Sequence, residues 1–435
     1  GYFTVSELRA DRFQSPAKHS NDEDRREMNQ ISGHLDYPLA SNLLLATKIY
    51  FNAIEDDRRV TYTANSSSTA PRQRRFWDEK HQGILSSLTW KQSDYLTIDG
   101  GMNFEEQDNK YRRYRYAHSV PTDFSTPSNT SNNEDYSVEN LGAYIQAIIR
   151  PTKQWRVVPA FRVDKFDGAT THNSIGRTYA LRDYGWINQP KLSLVYSPTP
   201  STHLYANWGR TFQILTGGTI AYQTSATVYK PSINTGQELG LKFRLGEATD
   251  ARIAVWQQDA TDEVANLPSA DATQNLGETR RKGIDFQFSS QVTKRLKVWA
   301  SHSIQEAKII GGYSVSGSSL VGKEVFSTPR YISNIGLEMQ AIDKVKFGLT
   351  ARAQGSYYID DLNAQGKFGE YLIVDGNVRY SHSPKVSLDF QLKNMFDKKY
   401  EYVWYDNFFW SSGAYQPMYS PGPGRVAYLA VNIKF

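Results

Sequence analysis

The chain has 435 residues and no cysteine, which excludes disulfide bonds and metal sites built on thiolates. Its charge is nearly balanced, with 50 Lys and Arg against 45 Asp and Glu, and this argues against a nucleic-acid-binding protein. No run of about eighteen apolar residues is present, so no transmembrane helix is predicted.

Alternation of apolar and polar residues recurs along the whole chain, and this pattern is typical of β-strands with one apolar and one polar face. In one such segment Leu141, Ile145 and Ile149 share a face. Pro159 interrupts the next segment, where its missing N–H predicts a bulge or a local break. We predict roughly seventeen strands, near residues 24–37, 42–56, 80–90, 95–107, 141–149, 155–163, 190–198, 202–212, 239–245, 251–262, 284–288, 295–308, 330–341, 345–352, 370–381, 386–393 and 425–435.

The predicted connections alternate between short turns and long polar loops. The short turns lie near residues 37–41, 150–153, 197–201, 246–250, 291–294 and 381–385. The long loops lie near residues 57–79, 107–138, 167–189, 213–235, 263–278, 309–329, 359–369 and 397–424. A meander with this alternation has all of its short turns at one end, as outer-membrane barrels do and soluble sandwiches do not. We therefore expect an all-β, transmembrane, antiparallel up-and-down β-barrel.

The segment Tyr111-Arg-Arg-Tyr-Arg-Tyr116 interleaves cations with aromatic rings, in one of the predicted extracellular loops. Such a segment can attract an anionic chelate through its field and through cation–π contacts. Binding of lipopolysaccharide phosphates and a plain solvated surface are the alternatives, and the run Arg72-Gln-Arg-Arg75 has the same interpretations. The predicted ligand contacts in these loops are Tyr111, Arg113, Tyr114, Tyr116 and Tyr313.

Aromatic residues also crowd the last long loop. Their rings can stack on an aromatic chelate, and the candidates for that contact are Trp404, Tyr405, Phe408 and Trp410. The favoured alternative is an aromatic girdle at the membrane boundary combined with packing between loops, because the cluster adjoins strand ends on both sides.

Charged residues occupy the predicted polar faces of the last strands, at Arg352, Asp375, Arg379, Asp389 and Lys393. We expect them to pair in a barrel interior that faces a plug domain or water. The eight histidines are scattered without ligand spacing, so no metal site held by the protein is expected. No motif places a Ser, a His and an acid in order, so no enzymatic activity is expected.

Several segments resemble TonB-dependent outer-membrane receptors, which actively import iron chelates and related scarce nutrients. They follow the family order across residues 140–435 and include Asn140-Leu-Gly-Ala-Tyr-Ile-Gln146, Arg281-Lys-Gly-Ile-Asp-Phe286, Leu392-Lys-Asn-Met-Phe-Asp-Lys-Lys-Tyr400 and Pro423-Gly-Arg-Val-Ala-Tyr428. The resemblance implies that the closing strand is the signal for outer-membrane assembly, formed by Tyr428, Leu429, Val431, Ile433 and Phe435.

Receptors of this family carry a plug domain inside a barrel of about 22 strands. The resemblance therefore implies that residues 1–435 are the N-terminally incomplete barrel domain of such a receptor, without its plug, in the outer membrane of a Gram-negative bacterium. The implied partners are a ferric siderophore or similar small nutrient, the plug domain, the TonB–ExbB–ExbD complex, outer-membrane lipid and lipopolysaccharide, and the barrel-assembly machinery. No nucleic acid and no cofactor are implied, because iron would arrive as a bound chelate.

Two other functions stay open at this point. The first is a passive diffusion porin, which binds its solute weakly or not at all. The second is a barrel that does not transport, either a structural adhesin or the product of a dead gene fragment. A plug and an energy-coupling motif encoded upstream of Gly1 would favour the receptor over both.

Overall fold

The computed structural model describes residues 3–14, 22–61, 72–116, 129–214, 230–267, 272–314, 316–409 and 414–434, and most of them form β-strands. In chain order the elements are α1 (Val5–Ala10), β1 (Glu23–Ala40), β2 (Leu43–Thr61), β3 (Arg72–Lys91), β4 (Leu96–Tyr116), β5 (Asn129–Ile149), β6 (Trp155–His172), β7 (Arg177–Ala180), β8 (Ile187–Thr199), β9 (Thr202–Gln213), β10 (Ser232–Leu245), β11 (Thr249–Leu267), β12 (Ala272–Gln291), β13 (Leu296–Gly311), β14 (Tyr331–Ile342), β15 (Val345–Gln354), β16 (Tyr357–Tyr358), β17 (Lys367–Phe368), β18 (Tyr371–Ser383), β19 (Val386–Lys393), β20 (Glu401–Phe409), β21 (Ala414–Pro421) and β22 (Val426–Ile433).

The short helix α1 was not predicted. It begins with a reciprocal cap, in which the Thr4 hydroxyl accepts a hydrogen bond from the Glu7 N–H and the Glu7 carboxylate accepts one from the Thr4 N–H. Five of the strands, β7, β16, β17, β20 and β21, are short additions within connections. Seventeen strands remain in the part of the chain that the structure describes, which is the number predicted.

The chain divides into two compact units. The first comprises residues 14–194 and 209–234, and in it β1 to β6 pair in sequence order, each antiparallel to the next. Both β7 and β8 pair with β6. Pairing between β5 and β6 lapses from Gln146–Ala160 to Ile149–Val157, which confirms the local break predicted at Pro159.

The second unit comprises residues 2–13, 195–208 and 235–435. In it β11 to β15 pair in sequence order, followed by β18, β19 and the closing strand β22. Strands β16 and β17 form one small hairpin, and β20 and β21 form another. Strands β8, β9 and β10 contribute residues to both units.

One face of each ladder is apolar near the short turns, and we call it the apolar face. In the first unit Ile49, Ile84, Phe104 and Leu141 are register neighbours across β2 to β5, yet between 40% and 55% of each is exposed. In the second unit Val255, Ile284 and Ile304 form a similar row. Large exposed apolar residues in contiguous rows are typical of strands that face lipid.

The opposite face is polar, and in the first unit its side chains form a dense network at the same level. The Arg162 guanidinium donates to both carboxylate oxygens of Asp164, at 2.6 and 2.8 Å, and to Asn103 Oδ1 at 2.8 Å. Gln189 donates to Asp164 at 2.6 Å. Asp164 is only 2% exposed, so these bonds replace the water that its carboxylate would otherwise bind.

The strands run much further than the sequence pattern predicted. The segments near 57–79 and 107–138 were expected to be long loops, but β2, β3, β4 and β5 extend through most of them. The prediction was wrong because these upper parts carry charged or polar side chains on both faces, so hydrophobicity no longer alternates. Likewise β11 and β12 occupy much of 263–278, and the hairpin of β20 and β21 occupies much of 397–424.

The connection between β13 and β14 folds back on the end of β13. Backbone bonds join Val325 to Ala307 and Gly322 to Ile309. Leu276, Ile309 and Leu320 are almost fully buried beneath this return. A small apolar core therefore fixes the connection in the second unit.

Candidate functional site

A row of three arginines crosses the upper polar face of the first unit, on the side away from the short turns. Arg58 of β2 is the register partner of Arg75 of β3, and Arg75 is the partner of Arg113 of β4. We call these three residues the arginine row. Asp24 of β1 pairs with Arg58 at one end, with 3.0 Å between Arg58 Nη2 and Asp24 Oδ2. Like charges directly opposite each other destabilise a sheet, so the row favours an anionic ligand.

The next row on the same face is aromatic at its centre. Trp77 of β3 and Tyr111 of β4 are register partners, and their rings stack with 5.2 Å between centroids and 24° between planes. The Arg58 guanidinium lies 5.9 Å from the Trp77 ring, which adds a cation–π contact between the two rows. The stacked pair is half-buried. We call Asp56, Trp77, Tyr111 and Glu134 the aromatic row, since they follow one another in register.

Acids with positively charged or titratable partners stand at both ends of the aromatic row. At one end Arg26 of β1 donates from Nε to Asp56 Oδ2 at 2.9 Å. At the other end His172 Nδ1 lies 3.5 Å from Glu134 Oε1, and Asn132 donates to the same oxygen at 3.0 Å. Asp56 and Glu134 are 6% and 4% exposed, so the ends of the row are buried and its centre is open.

A third row lies one step closer to the short turns and contains Glu79, Asn109 and Tyr136, which we call the glutamate row. Burial first, and then the Asp56 carboxylate, raise the pKa of Glu79 above its usual value, while Arg26 opposes the change. Burial, Glu79 and Glu134 raise the pKa of Tyr136 to about 12. A tyrosine hydroxyl is protonated at neutral pH even at its usual pKa, and the upward shift keeps Tyr136 protonated in more alkaline solution as well.

The structure separates the four residues predicted in the segment 111–116. They lie in β4 rather than in a loop, and Tyr111 and Arg113 are on the polar face within the rows just described. Tyr114 and Tyr116 project from the opposite face, where Tyr114 is the register partner of Arg74. Burial raises the pKa of Tyr116, which is 5% exposed. A ligand on the polar face would meet only the first two.

Arg74 has a different environment from its neighbour Arg75. It forms two bonds to the Asp57 carboxylate, at 2.8 and 2.9 Å, on the continuation of the apolar face. Burial opposes ionisation of Asp57, but the bonds and charge of Arg74 outweigh it and hold the pKa of that carboxyl below its usual value. Arg74 is thus neutralised within the sheet.

The other predicted ligand contacts are less constrained. Tyr313 forms a backbone bridge with Ser319 and is 69% exposed, so it is accessible to a solute. Trp404, Tyr405 and Phe408 lie in β20, but the positions of their side chains are outside the described residues, as is all of Trp410. Their role stays a prediction.

The described part of the last connection contains a tyrosine cluster that sequence reasoning missed. Ring centroids of Tyr371 and Tyr400 are 5.2 Å apart, and those of Tyr400 and Tyr402 are 5.5 Å apart. Tyr400 is 4% exposed, and a Cβ on Gly422 would lie 2.3 Å from its ring. This cluster is tight packing, as the girdle-and-packing alternative predicted for the loop in general.

The charge pairs predicted on the last strands are present. Arg379 forms two bonds to the Asp389 carboxylate, at 2.6 and 2.9 Å. Asp375 Oδ2 lies 3.2 Å from Arg352 Nη2 and 3.4 Å from Lys393 Nζ. These five side chains therefore form two ion-paired groups on the polar face of the second unit, one around Asp375 and one around Asp389.

The closing strand has the predicted alternation. Leu429, Val431 and Ile433 share the apolar face of β22 and pair with Phe390, Leu388 and Val386 of β19. They are 73%, 59% and 56% exposed. Tyr428 projects from the other face and is also exposed, while Phe435 lies outside the described residues. The proposed assembly signal is thus accessible, and its recognition stays a prediction.

The described residues contain neither a cluster of metal-binding side chains nor a membrane-spanning helix. No group of three or more His, Asp or Glu side chains there is arranged to hold a metal ion. No helix in that part of the chain is long and apolar enough to cross a membrane.

Sequence reasoning missed Arg58, Trp77 and Glu79 as members of the site. Arg75 was noted within the run 72–75, but nothing local connected it with Arg58 or Arg113. The missing signal is the register of β2, β3 and β4, which brings residues 17 to 55 positions apart into one row.

Comparison with protein families gives a match over almost the whole chain. The sequence model described as TonB dependent receptor-like, beta-barrel matches residues 2–395. Among characterised proteins, the metal-pseudopaline receptor CntO of Pseudomonas aeruginosa is 22% identical over 283 residues. That alignment covers 62% of this chain and 38% of the receptor, so the chain spans well under half of that relative.

Solved structures give the same result for the fold. The unliganded ferric citrate transporter FecA matches 100% of this chain and 65% of its own, with a TM-score of 0.83 and 19% identity. The siderophore receptor PiuA from Acinetobacter baumannii matches 95% of this chain and 65% of its own, with a TM-score of 0.79 and 16% identity. At these identities the likeness shows a shared antiparallel barrel fold.

Proposed function

The chain belongs to the TonB-dependent receptor-like β-barrel family, and from this premise we propose that the whole protein imports a ferric siderophore across the outer membrane. Barrels of this class meet lipid with the apolar face of their strands and line their interior with the polar face. The arginine and aromatic rows then lie on the interior face, above the level of the membrane. A solute entering from outside meets them first.

The observation that carries the substrate class is the arginine row beside the Trp77–Tyr111 stack. A ferric catecholate is anionic and presents planar aromatic rings. Guanidinium groups attract its charge and donate to its oxygens, and the stacked rings offer a flat apolar surface. A neutral sugar or a vitamin without charge would bring no negative charge to offset the repulsion among three adjacent arginines.

The names of the relatives support the same class of cargo. One relative is named for a metal chelate, one structure for ferric citrate and one as a siderophore receptor. Iron would be the cargo within the chelate and not a cofactor, and the protein would be a transporter and not an enzyme. The energy would come through the TonB–ExbB–ExbD complex acting on the plug domain, as the family implies.

The remaining partners follow from the location of the protein. The apolar face would be solvated by outer-membrane lipid and lipopolysaccharide, and the barrel-assembly machinery would recognise the closing strand. No role for nucleic acid is proposed. The aromatic residues Trp404, Tyr405, Phe408 and Trp410, together with Tyr313, remain candidates for contact with the chelate near the entrance.

The test is uptake of radioactive iron by iron-starved cells that express the whole receptor. We expect Arg75→Gln to raise the ferric tricatecholate concentration for half-maximal uptake on the order of tenfold, because a charge-assisted contact is lost. Arg74→Gln is the matched control on the other face of β3 and should change it by less than about twofold, because its guanidinium binds Asp57 on the face away from the arginine row. Uptake should cease when a protonophore removes the energy supply.

Three results would contradict the proposal. Uptake that persists without energy would indicate a porin. Equal effects of Arg75→Gln and Arg74→Gln would remove the arginine row from the site. A receptor gene whose deletion leaves growth on every ferric chelate unchanged, while impairing vitamin or glycan uptake, would exclude the siderophore assignment.

A further inference from the structure

The charge on the upper polar face reverses within two rows. The arginine row carries three guanidinium groups. The two rows beneath it carry three carboxylates, Asp56, Glu79 and Glu134, against Arg26 and His172. Successive rows on one face are about 7 Å apart along the strands. Cationic and anionic surfaces therefore lie side by side with the Trp77–Tyr111 stack between them.

Glu79 is the acid without a counter-charge of its own. Its carboxylate forms no hydrogen bond and no ion pair within the part of the chain that the structure describes, although the residue is half-buried. Glu134 has His172 and Asn132 as neighbours. Arg26 binds Asp56, and its charge acts on Glu79 only at a distance. A half-buried carboxylate without a partner loses hydration and gains nothing in return.

Asp56, on the neighbouring strand β2, also has a carboxylate oxygen without a hydrogen-bond partner among the described residues. It is 6% exposed, and its Oδ1 atom is buried without a hydrogen-bond partner, because Arg26 bonds only to Oδ2. Asp56 pairs with Trp77, and Glu79 lies two residues from Trp77 on the same face of β3. The two carboxylates are therefore diagonal neighbours that share one arginine.

The Trp77 and Tyr111 rings, which lie next to Glu79, can also bind a cation. An ammonium group beside Glu79 would lie next to the Trp77 and Tyr111 rings, and cation–π attraction adds to the ion pair in such a position. The side chains of Asn109 and Tyr136 complete the glutamate row beside Glu79.

We propose that the imported chelate is zwitterionic: its anionic metal-binding part contacts the arginine row, and a protonated amine binds Glu79 and Asp56. The inference rests on the proposed function of the same site and narrows its substrate class. The amine lies one to two rows from the anionic groups, about 7 to 14 Å along the strand direction. A chelate that is purely anionic occupies the arginine row but leaves Glu79 unpaired.

The test compares two synthetic ferric tricatecholates that differ only in one backbone amine, which is free in one and N-acetylated in the other. Their affinities for the purified whole receptor are measured by quenching of tryptophan fluorescence. We expect the free amine to bind on the order of tenfold more tightly, or about 1.4 kcal/mol, since it adds a charge-assisted hydrogen bond. Glu79→Gln should abolish this preference, so that the variant binds the free-amine and the acetylated chelate with equal affinity.

The variant should fold normally, because it removes an unpaired charge. Asp78→Asn is the matched control, since Asp78 pairs with Lys110 on the other face of β3, and it should keep the preference. Equal affinities for the two chelates in the wild type, or a preference that survives Glu79→Gln, overturn the zwitterion inference and leave the proposed function standing. Failure of the wild type to bind either chelate contradicts both.

Discussion

Strands β2 to β5 have a lower part near the short turns and an upper part of similar length, and the two differ in chemistry. In the lower part Ile84 and Phe104 are exposed on one face, while Asn103 is buried on the other face in a polar network with Asp164 of the neighbouring β6. In the upper part both faces are charged, with Arg74 on one and Arg75 on the other. The lower part is adapted to a boundary between lipid and a polar interior. The upper part has polar surroundings on both sides, so its residues are available for ligand recognition.

The largest effect should come from placing a charge on the lower apolar face. Leu88 pairs with Leu45 and Gly100 and is 45% exposed. We expect Leu88→Arg to lower the free energy of unfolding in lipid vesicles by about 2 to 4 kcal/mol, because a cation would enter hydrocarbon. Gln82→Arg lies on the same face of β3 at the top of this part and should cost about 0 to 1 kcal/mol.

Denaturant titration of both variants in the same vesicles gives the comparison. Equal losses for Leu88→Arg and Gln82→Arg would mean that the membrane boundary does not lie between the two parts. The distinction between lower and upper strand would then have no physical basis.

A smaller effect is expected on the lower polar face, which is closed by its own hydrogen bonds. A Cβ on Gly142 would lie 2.3 Å from Asn103 Oδ1, 2.5 Å from Arg162 Nη2 and 2.7 Å from Asp164 Oδ1. Gly142→Ala should therefore lower the free energy of unfolding by about 1 to 3 kcal/mol, as overpacking does. Gly236→Ala is the control, because its Cβ would meet nothing nearer than 3.9 Å.

Thermal or denaturant unfolding of the two alanine variants measures this difference. If the Gly142→Ala protein were as stable as the Gly236→Ala protein, the side chains of the network would be able to move aside for a methyl group without a loss of stability. Such a result would contradict the view that the lower polar face is closed by its own hydrogen bonds.

The two parts also explain what the sequence predicted about the fold. Alternation of hydrophobicity marked the lower strands, the seventeen-strand count and the closing strand, because those segments separate an apolar from a polar environment. It failed for the upper halves of β2 to β5, since alternation reports the contrast between two environments and not the extended backbone itself. The segment 111–116 was assigned to a loop for this reason.

The site was predictable only where its members are neighbours in sequence. Tyr111 and Arg113 were found because cations and rings interleave locally. Trp77 and Arg58 come from other strands, and a slip of one residue in register would place them on the opposite face. Tyr114 and Tyr116 were grouped with Tyr111 because they are close to it in sequence. Side chains alternate between the two faces of β4, and this alternation places them on the face opposite Tyr111.

The central claim is that ligand recognition uses the upper polar face. Two tyrosines on opposite faces of β4 test it most directly. The measurement is the affinity of the purified whole receptor for a ferric tricatecholate after Tyr111→Ala and after Tyr114→Ala. We expect Tyr111→Ala to weaken binding on the order of tenfold, because the stacked surface beside the arginine row is lost, and Tyr114→Ala to change it by less than about twofold. Equal losses, or a larger loss for Tyr114→Ala, would contradict the account.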